Sequence, residues 1–206
     1  MEKKFELTNE IAVVYERLHE DDGKKFGWQI RFDPVWHCPL PFVDFSTSAL
    51  NHPLAVCRAA VVHRIRALVD IPEYGVKAGD LGGFIEEEEN LSHRGSAWVS
   101  DDAVVYGRQA CVTGNAIVRG KAIVSGTEGG TWIGENAEIT DNATILRGTV
   151  AGNVKIYGNT FARGYCLYVS GDKSIGGDAI ITAKTGKEAD IWGNAIIGEH
   201  GTASHS

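Results

Sequence analysis

The chain is short of several things, and each shortage excludes something. It has one Met and five Pro in 206 residues, and four of those prolines, Pro34, Pro39, Pro41 and Pro53, fall between residues 33 and 55. That stretch reads as irregular, because proline fixes φ and withholds a backbone donor. No apolar run approaches the length of a membrane span, and Met1-Glu2-Lys3-Lys4 is followed by no apolar region that would make it a signal peptide. The expectation is a cytoplasmic protein with no membrane partner. A formal charge of −7 without a basic stripe argues against a nucleic-acid partner. The four cysteines, Cys38, Cys57, Cys111 and Cys166, lack a secretory context and read as free thiols in a reducing compartment.

Histidine is missing where a catalytic base would be wanted. None of the seven His falls between Ala97 and Ile197; His93 lies just before that stretch and His200 just after it. His37, Cys38, His52, Cys57 and His63 are zinc-ligand types, but the tight Cys-x2-Cys spacing of structural zinc sites is absent, so no metal is expected. Gly79-Asp80-Leu81-Gly82-Gly83 does not match a phosphate-cradling loop and reads as a turn. The acidic run from Glu86 to Glu89 reads as a solvated loop.

What the chain does have is a six-residue beat. It is plainest in Val112-Thr113-Gly114-Asn115-Ala116-Ile117 and Val118-Arg119-Gly120-Lys121-Ala122-Ile123. The small position runs Ala97, Ala103, Ala110, Ala116, Ala122, Ala137, Ala143, Thr149, Val154, Thr160, Cys166, Ala179, Ala189 and Ala195. The aliphatic position two residues on runs Val99, Val105, Val112, Val118, Val124, Ile139, Ile145, Ile156, Ile181, Ile191 and Ile197. A helix repeats every 3.6 residues and a simple strand every 2, so neither explains this beat. Short strands separated by corners do: three sides make one triangular coil, aliphatic residues fill the prism, and stacking satisfies the backbone along the axis. Gly-Asn before the small position, as at Gly114-Asn115, Gly152-Asn153 and Gly158-Asn159, suits tight corners. Thr127 to Thr131 breaks the beat and reads as a protruding loop.

Residues 1–84 lack the beat. Phe5-Glu6-Leu7, Ile11 to Tyr15 and Trp28 to Phe32 read as strands, and Ala55 to Val69 as a short helix leading into a strand around His63. A repeat stack exposes apolar surface at its ends, so 1–84 is expected to be an N-terminal capping region with a small α+β element. Residues 85–198 form the repeat body and 199–206 a polar tail too short to cap much.

The segments Ile65-Arg66-Ala67-Leu68, Val76 to Phe84 and Glu89-Asn90-Leu91-Ser92, with Trp98-Val99 and the Gly-x-Ala rungs after them, resemble hexapeptide-repeat left-handed β-helix proteins. More narrowly they resemble YdcK-like and phage-borne members. The resemblance covers residues 65–198 and the opening Phe5-Glu6-Leu7-Thr8. It implies a mainly β fold, a single-stranded left-handed parallel β-helix, and trimers packed through flat prism sides. Such proteins are often acyltransferases that use a CoA thioester and a His base near a subunit interface.

Two functions compete, since fold alone does not decide between them. The first is a non-enzymatic scaffold or binding protein of phage or prophage origin, a homo-oligomer built through prism faces, with no cofactor and with room for a protein partner. The aromatic set Tyr106, Tyr157, Tyr165, Tyr168 and Trp192 is expected to face outward and mark that interface. The second is an acyltransferase using acetyl-CoA, with His93 as the base and Glu128 and Trp132 at a ligand or interface loop. The missing body His and the short 127–131 loop favour the first.

Overall fold

A computed structural model describes residues 3–21, 25–34, 56–127, 129–183, 190–192, 195–199 and 202–203, with side chains described for 3–14, 60–127, 129–164 and 167–181. The body is a parallel β-solenoid of about five turns. Its first side stacks β4 (Leu81–Ile85), β6 (Val104–Tyr106), β9 (Ile123–Ser125), the start of β12 (Thr144–Val150), the start of β14 (Phe161–Val169) and β16 (Ile180–Ala183). The second stacks Leu91, β7 (Ala110–Val112), β10 (Thr131–Ile133) and the ends of β12 and β14. The third stacks β5 (Trp98–Val99), β8 (Ile117–Val118), β11 (Glu138–Ile139), β13 (Lys155–Ile156) and β15 (Lys173–Gly177).

Each side carries one inward aliphatic column. On the third side Val99 lies against Val118, then Ile139, Ile156 and Ile175. On the first, Ile85, Val105, Val124, Ile145, Ala162 and Ile181 line up in the same way. All are buried, as are Ala97, Ala103, Ala116, Ala122, Ala137 and Ala143 at the small positions. Removing such aliphatic side chains from water is worth about 1.5–3 kcal/mol each, and a solenoid gains it only when a neighbouring coil covers the face.

The corners stack too. At one, Gly114 and Gly152 have positive φ with the non-glycine Glu135 (φ 55°) between them, before Asn136; at another, Gly120 and Gly158 do, with Asp141 (φ 60°) between them, before Asn142. A Cβ on Gly114 would come within 3.1 Å of the Glu135 backbone, so the column has no room for a larger residue there. The following asparagines form ladders along the axis. Asn115 Nδ2 donates to Asn136 Oδ1 (3.1 Å), Asn136 Nδ2 to Asn153 Oδ1 (2.9 Å), and Asn153 Nδ2 to Asp172 Oδ1. A second ladder runs from Asn142 through Asn159 to Asp178.

Several expectations are corrected. Thr149 does not point inward: Gly148 sits opposite Thr131 and Val150 opposite Ile133, which leaves Thr149 on the outer face beside Trp132. Thr131 ends the irregular loop but opens β10, a strand of the second side. The last two expected rungs are not parallel coils. β17 (Asp190–Trp192) pairs antiparallel with β16, and β18 (Ala195–Glu199) pairs antiparallel with β15, so reversed strands close this end. Ala189 lies outside the described residues, as does His200.

The other end is also closed by reversed strands. β1 (Phe5–Asp21) pairs antiparallel with β2 (Lys25–Pro34) and with β3 (Val56–Ala67), and β3 pairs antiparallel with β4. No α-helix occurs among the described residues, so the expected α+β cap and the helix over Ala55–Val69 are replaced there by strand. The reason is visible in burial: Val61 is half exposed between buried Ala60 and Val62, and Arg66 is exposed between buried Ile65 and Ala67. That is period 2, hidden in the sequence by an apolar residue on the outer face. Residues 35–55 lie outside the described residues.

The acidic run is not simply solvated. Asn90 is fully buried; its Oδ1 accepts from the Glu86 and Glu87 amides, and its Nδ2 donates to the Gly107 and Ala110 carbonyls at 2.9 Å. Glu86 accepts from the Gly107 amide (2.6 Å). The run therefore splices the first coil to the second.

Val118→Asp is expected to cost several kcal/mol, because it buries an unpaired carboxylate in the prism. Asn115→Ala, at an exposed corner, is expected to cost about 1 kcal/mol. Urea unfolding of both variants checks this; equal midpoints would mean that Val118 does not face the core.

Candidate functional site

His93 lies at the first coil and is held from three sides. Its Nδ1 is 3.1 Å from the Lys4 amide nitrogen, its Nε2 is 2.7 Å from Glu88 Oε1, and its ring stacks on Phe5 with centroids 4.3 Å apart. An amide can only donate, so Nδ1 is the acceptor and Nε2 carries the hydrogen given to Glu88. Glu88 also pairs with Lys3 (2.9 Å), and Lys3 and then His93 hold its carboxyl below the usual range. Both imidazole nitrogens thus serve to fasten the N-terminal strand to the solenoid. Acting as a base would require His93 to release the Lys4 amide.

The residue that sequence reasoning passed over is Lys4. The residue is only 4% exposed, and Nζ donates to the Ala97 carbonyl (2.6 Å) and the Gly95 carbonyl (3.3 Å). Those carbonyls belong to the first coil of the third side, where no earlier coil offers an amide, so an amine from the chain terminus takes its place. Among the described residues no carboxylate pairs with Lys4. Burial lowers its pKa from 10.5 to about 8. A signal existed in the sequence, a Lys beside the buried Phe5 at the start of β1, but adjacent charged residues there look like an ordinary polar terminus.

Lys4 and His93 line a cleft of about 330 Å³, together with Ile71, Pro72, Glu73 and Ser96. At its rim the Asp70 carboxyl is held low by the Ala78 amide and by Lys77, and the Glu73 carboxyl by its own amide and by Ser96. The cleft therefore combines a buried amine with carboxylates that stay ionised.

A second feature lies on the outer face of the second side. Cys111, Trp132, Thr149 and Tyr168 are in register across successive coils. Trp132 is 38% exposed and Tyr168 65%. A Cβ on Gly134 would fall 2.4 Å from the Trp132 ring, so the indole lies across that glycine, flat on the sheet. Arg147 packs its guanidinium against Gly129 beside it. Cys111 is half-buried, and burial pushes its thiol pKa up.

The other aromatic positions divide. Tyr106 does not face outward: it is fully buried with Phe84 and Val104 under Ala12, Val14, Ala60 and Val62 of the N-terminal strands. The sheet that continues from the first side folds over that face and covers it. Tyr157 is half-buried, its ring across Gly176 of the next coil. Glu128 lies outside the described residues, and so do the side chains of Tyr165, Cys166 and Trp192 and of Cys57. Of the suspected metal-ligand set, His63 contacts the Thr8 carbonyl (3.3 Å), and His37, Cys38 and His52 lie outside the described residues.

Comparison with models of protein families and with curated proteins finds no match for this chain.

Lys4 gives a pH signature. Below about pH 8 it is an ammonium in both folded and unfolded chains. Between that point and 10.5 the folded chain sheds the proton while the unfolded chain keeps it, so Lys4 makes stability rise with pH. Tyr74 and Cys111, whose pKa values are raised, act in the opposite sense at the alkaline end. The expected result is that the stability of wild type relative to Lys4→Met increases from pH 8 to pH 10; a difference independent of pH would show that Lys4 is not desolvated.

Proposed function

We propose that this chain is a non-enzymatic β-solenoid scaffold, of the left-handed hexapeptide-repeat kind, that associates with copies of itself through the outer face of its second side. The observation that carries the reading is the pair of exposed aromatics, Trp132 and Tyr168, in register on one flat run of parallel strands. A large ring held flat against a sheet, as Trp132 is, offers area at little entropic cost, and exposed apolar surface of this kind marks interaction sites.

The alternative is an acyltransferase using acetyl-CoA, with His93 as the base. Against it stands the engagement of both His93 nitrogens within the chain. It also needs an acceptor pocket, and the cleft beside His93 holds only about 330 Å³.

Sedimentation of the wild-type chain, 22.2 kDa as a monomer, is expected to give a multiple of that mass. Trp132→Glu combined with Tyr168→Glu should return it to a monomer with an unchanged melting temperature. A wild-type monomer at the highest soluble concentration overturns the scaffold reading, and acetyl-CoA binding lost in His93→Ala would put the acyltransferase in its place.

A further inference from the structure

We propose that Lys4 is a nucleophilic amine and that the cleft it lines is a covalent site for small carbonyl compounds. The inference does not depend on the scaffold reading. It starts from the geometry at Nζ. The nitrogen is tetrahedral: Cε takes one position and hydrogens aimed at the Ala97 and Gly95 carbonyls take two more. A neutral amine has just two hydrogens, and both are used. Its lone pair takes the fourth position, which among the described residues no partner fills. An ammonium would place a third hydrogen there without an acceptor, in a residue that is buried. The cost falls on the charged form, in the direction of the lowered pKa.

The amine is also presented rigidly. The Lys4 amide donates to His93 Nδ1, its carbonyl accepts from the Leu68 amide (2.8 Å), and the adjacent Phe5 is locked between the core and the His93 ring. At pH 7 roughly a tenth of Lys4 is neutral, against less than a thousandth of an ordinary lysine. The other lysines with described partners are exposed ion pairs: Lys3 with Glu88, Lys77 with Asp70 and Lys155 with Glu138.

The chemistry balances without a further reactant. The Lys4 lone pair attacks the carbonyl carbon, a C–N bond forms, and the C=O π pair moves to oxygen. That oxygen takes the proton shed by nitrogen. The nitrogen lone pair then forms the C=N bond as the C–O bond breaks, the hydroxyl takes the remaining N–H proton and leaves as water, giving an imine. Its protonated form keeps one N–H, enough for the short bond to the Ala97 carbonyl. Asp70 and Glu73 line the cleft as carboxylates that suit a cationic iminium, and Lys3 and the Asp70–Lys77 pair offset their charge. A cleft of about 330 Å³ admits a small aldehyde.

The test treats the full-length chain with limiting acetaldehyde and sodium cyanoborohydride, which traps the imine by hydride transfer. Cleavage after Glu2 and Glu6 isolates Lys3 and Lys4 from the Met1 α-amine, whose ordinary pKa is also near 8, and fragment masses separate the two lysines. The expected result is labelling of Lys4 at least about tenfold faster than Lys3 at pH 7, with a rate midpoint near pH 8. The preference for Lys4 should vanish in urea. Equal labelling of Lys3 and Lys4, or an unlabelled Lys4, overturns the proposal. So does a preference that survives urea, since it would then come from local sequence and not from the cleft.

Discussion

Everything in this protein depends on one constraint, that each coil must place its backbone and its inward side chain directly over those of the coil before. The peptide groups point along the axis, so a coil can satisfy them only with the coil above or below. Bonds such as Trp98 N–H to the Ala116 carbonyl (3.0 Å) and Ile117 N–H to the Ala137 carbonyl (2.9 Å) express this along the stack. Once the backbone is in register, Val99, Val118, Ile139, Ile156 and Ile175 have no choice but to form a column. The corners follow, since only residues that accept positive φ can turn the chain there.

The same constraint creates a problem at the ends, where the last peptide groups have no coil to meet. The chain solves it in two ways. Reversed strands pair with the terminal coils: β3 with β4 at the start, β17 with β16 and β18 with β15 at the finish. Where no strand reaches, side chains supply the missing partners. Lys4 caps the Ala97 and Gly95 carbonyls, and Asn90 bridges four backbone groups at the first corner of the second side. The unusual chemistry of Lys4 is thus a by-product of capping: an amine asked to replace backbone amides must be buried, and burial favours its neutral form.

The outer surfaces divide along the same lines. The first side's outer face is apolar at Phe84 and Val104, and the N-terminal strands cover it. The second side keeps Trp132 and Tyr168 outward, and nothing among the described residues covers them. The third side is polar further along, with Glu138 bridging Arg119 and Lys155. One face is covered by the N-terminal strands, one keeps exposed aromatic side chains, and one is polar.

Much of the body was legible in the sequence. The aliphatic and alanine positions from Ala97 to Ile145 can be read off the six-residue beat, because a coil repeats its burial pattern at a fixed interval. The corner glycines are legible for the same reason. The beat misleads at Thr149, where a corner shifts the register by one, and beyond Ala179, where the spacing persists while the chain reverses. Periodicity reports which residues are buried, and a strand buries the same residues whether its neighbour runs parallel or antiparallel. The rest was decided by tertiary structure. Whether Tyr106 faces solvent depends on strands far away in sequence, which fold over it. Whether His93 offers a free nitrogen depends on Lys4, Phe5 and Glu88 converging on it. Whether Lys4 is an ordinary terminal lysine or a desolvated amine depends on where the first coil ends. Sequence alone determined the repeat, since it follows from local spacing; only the folded chain decided the chemistry, since partners and desolvation come from residues about ninety positions apart.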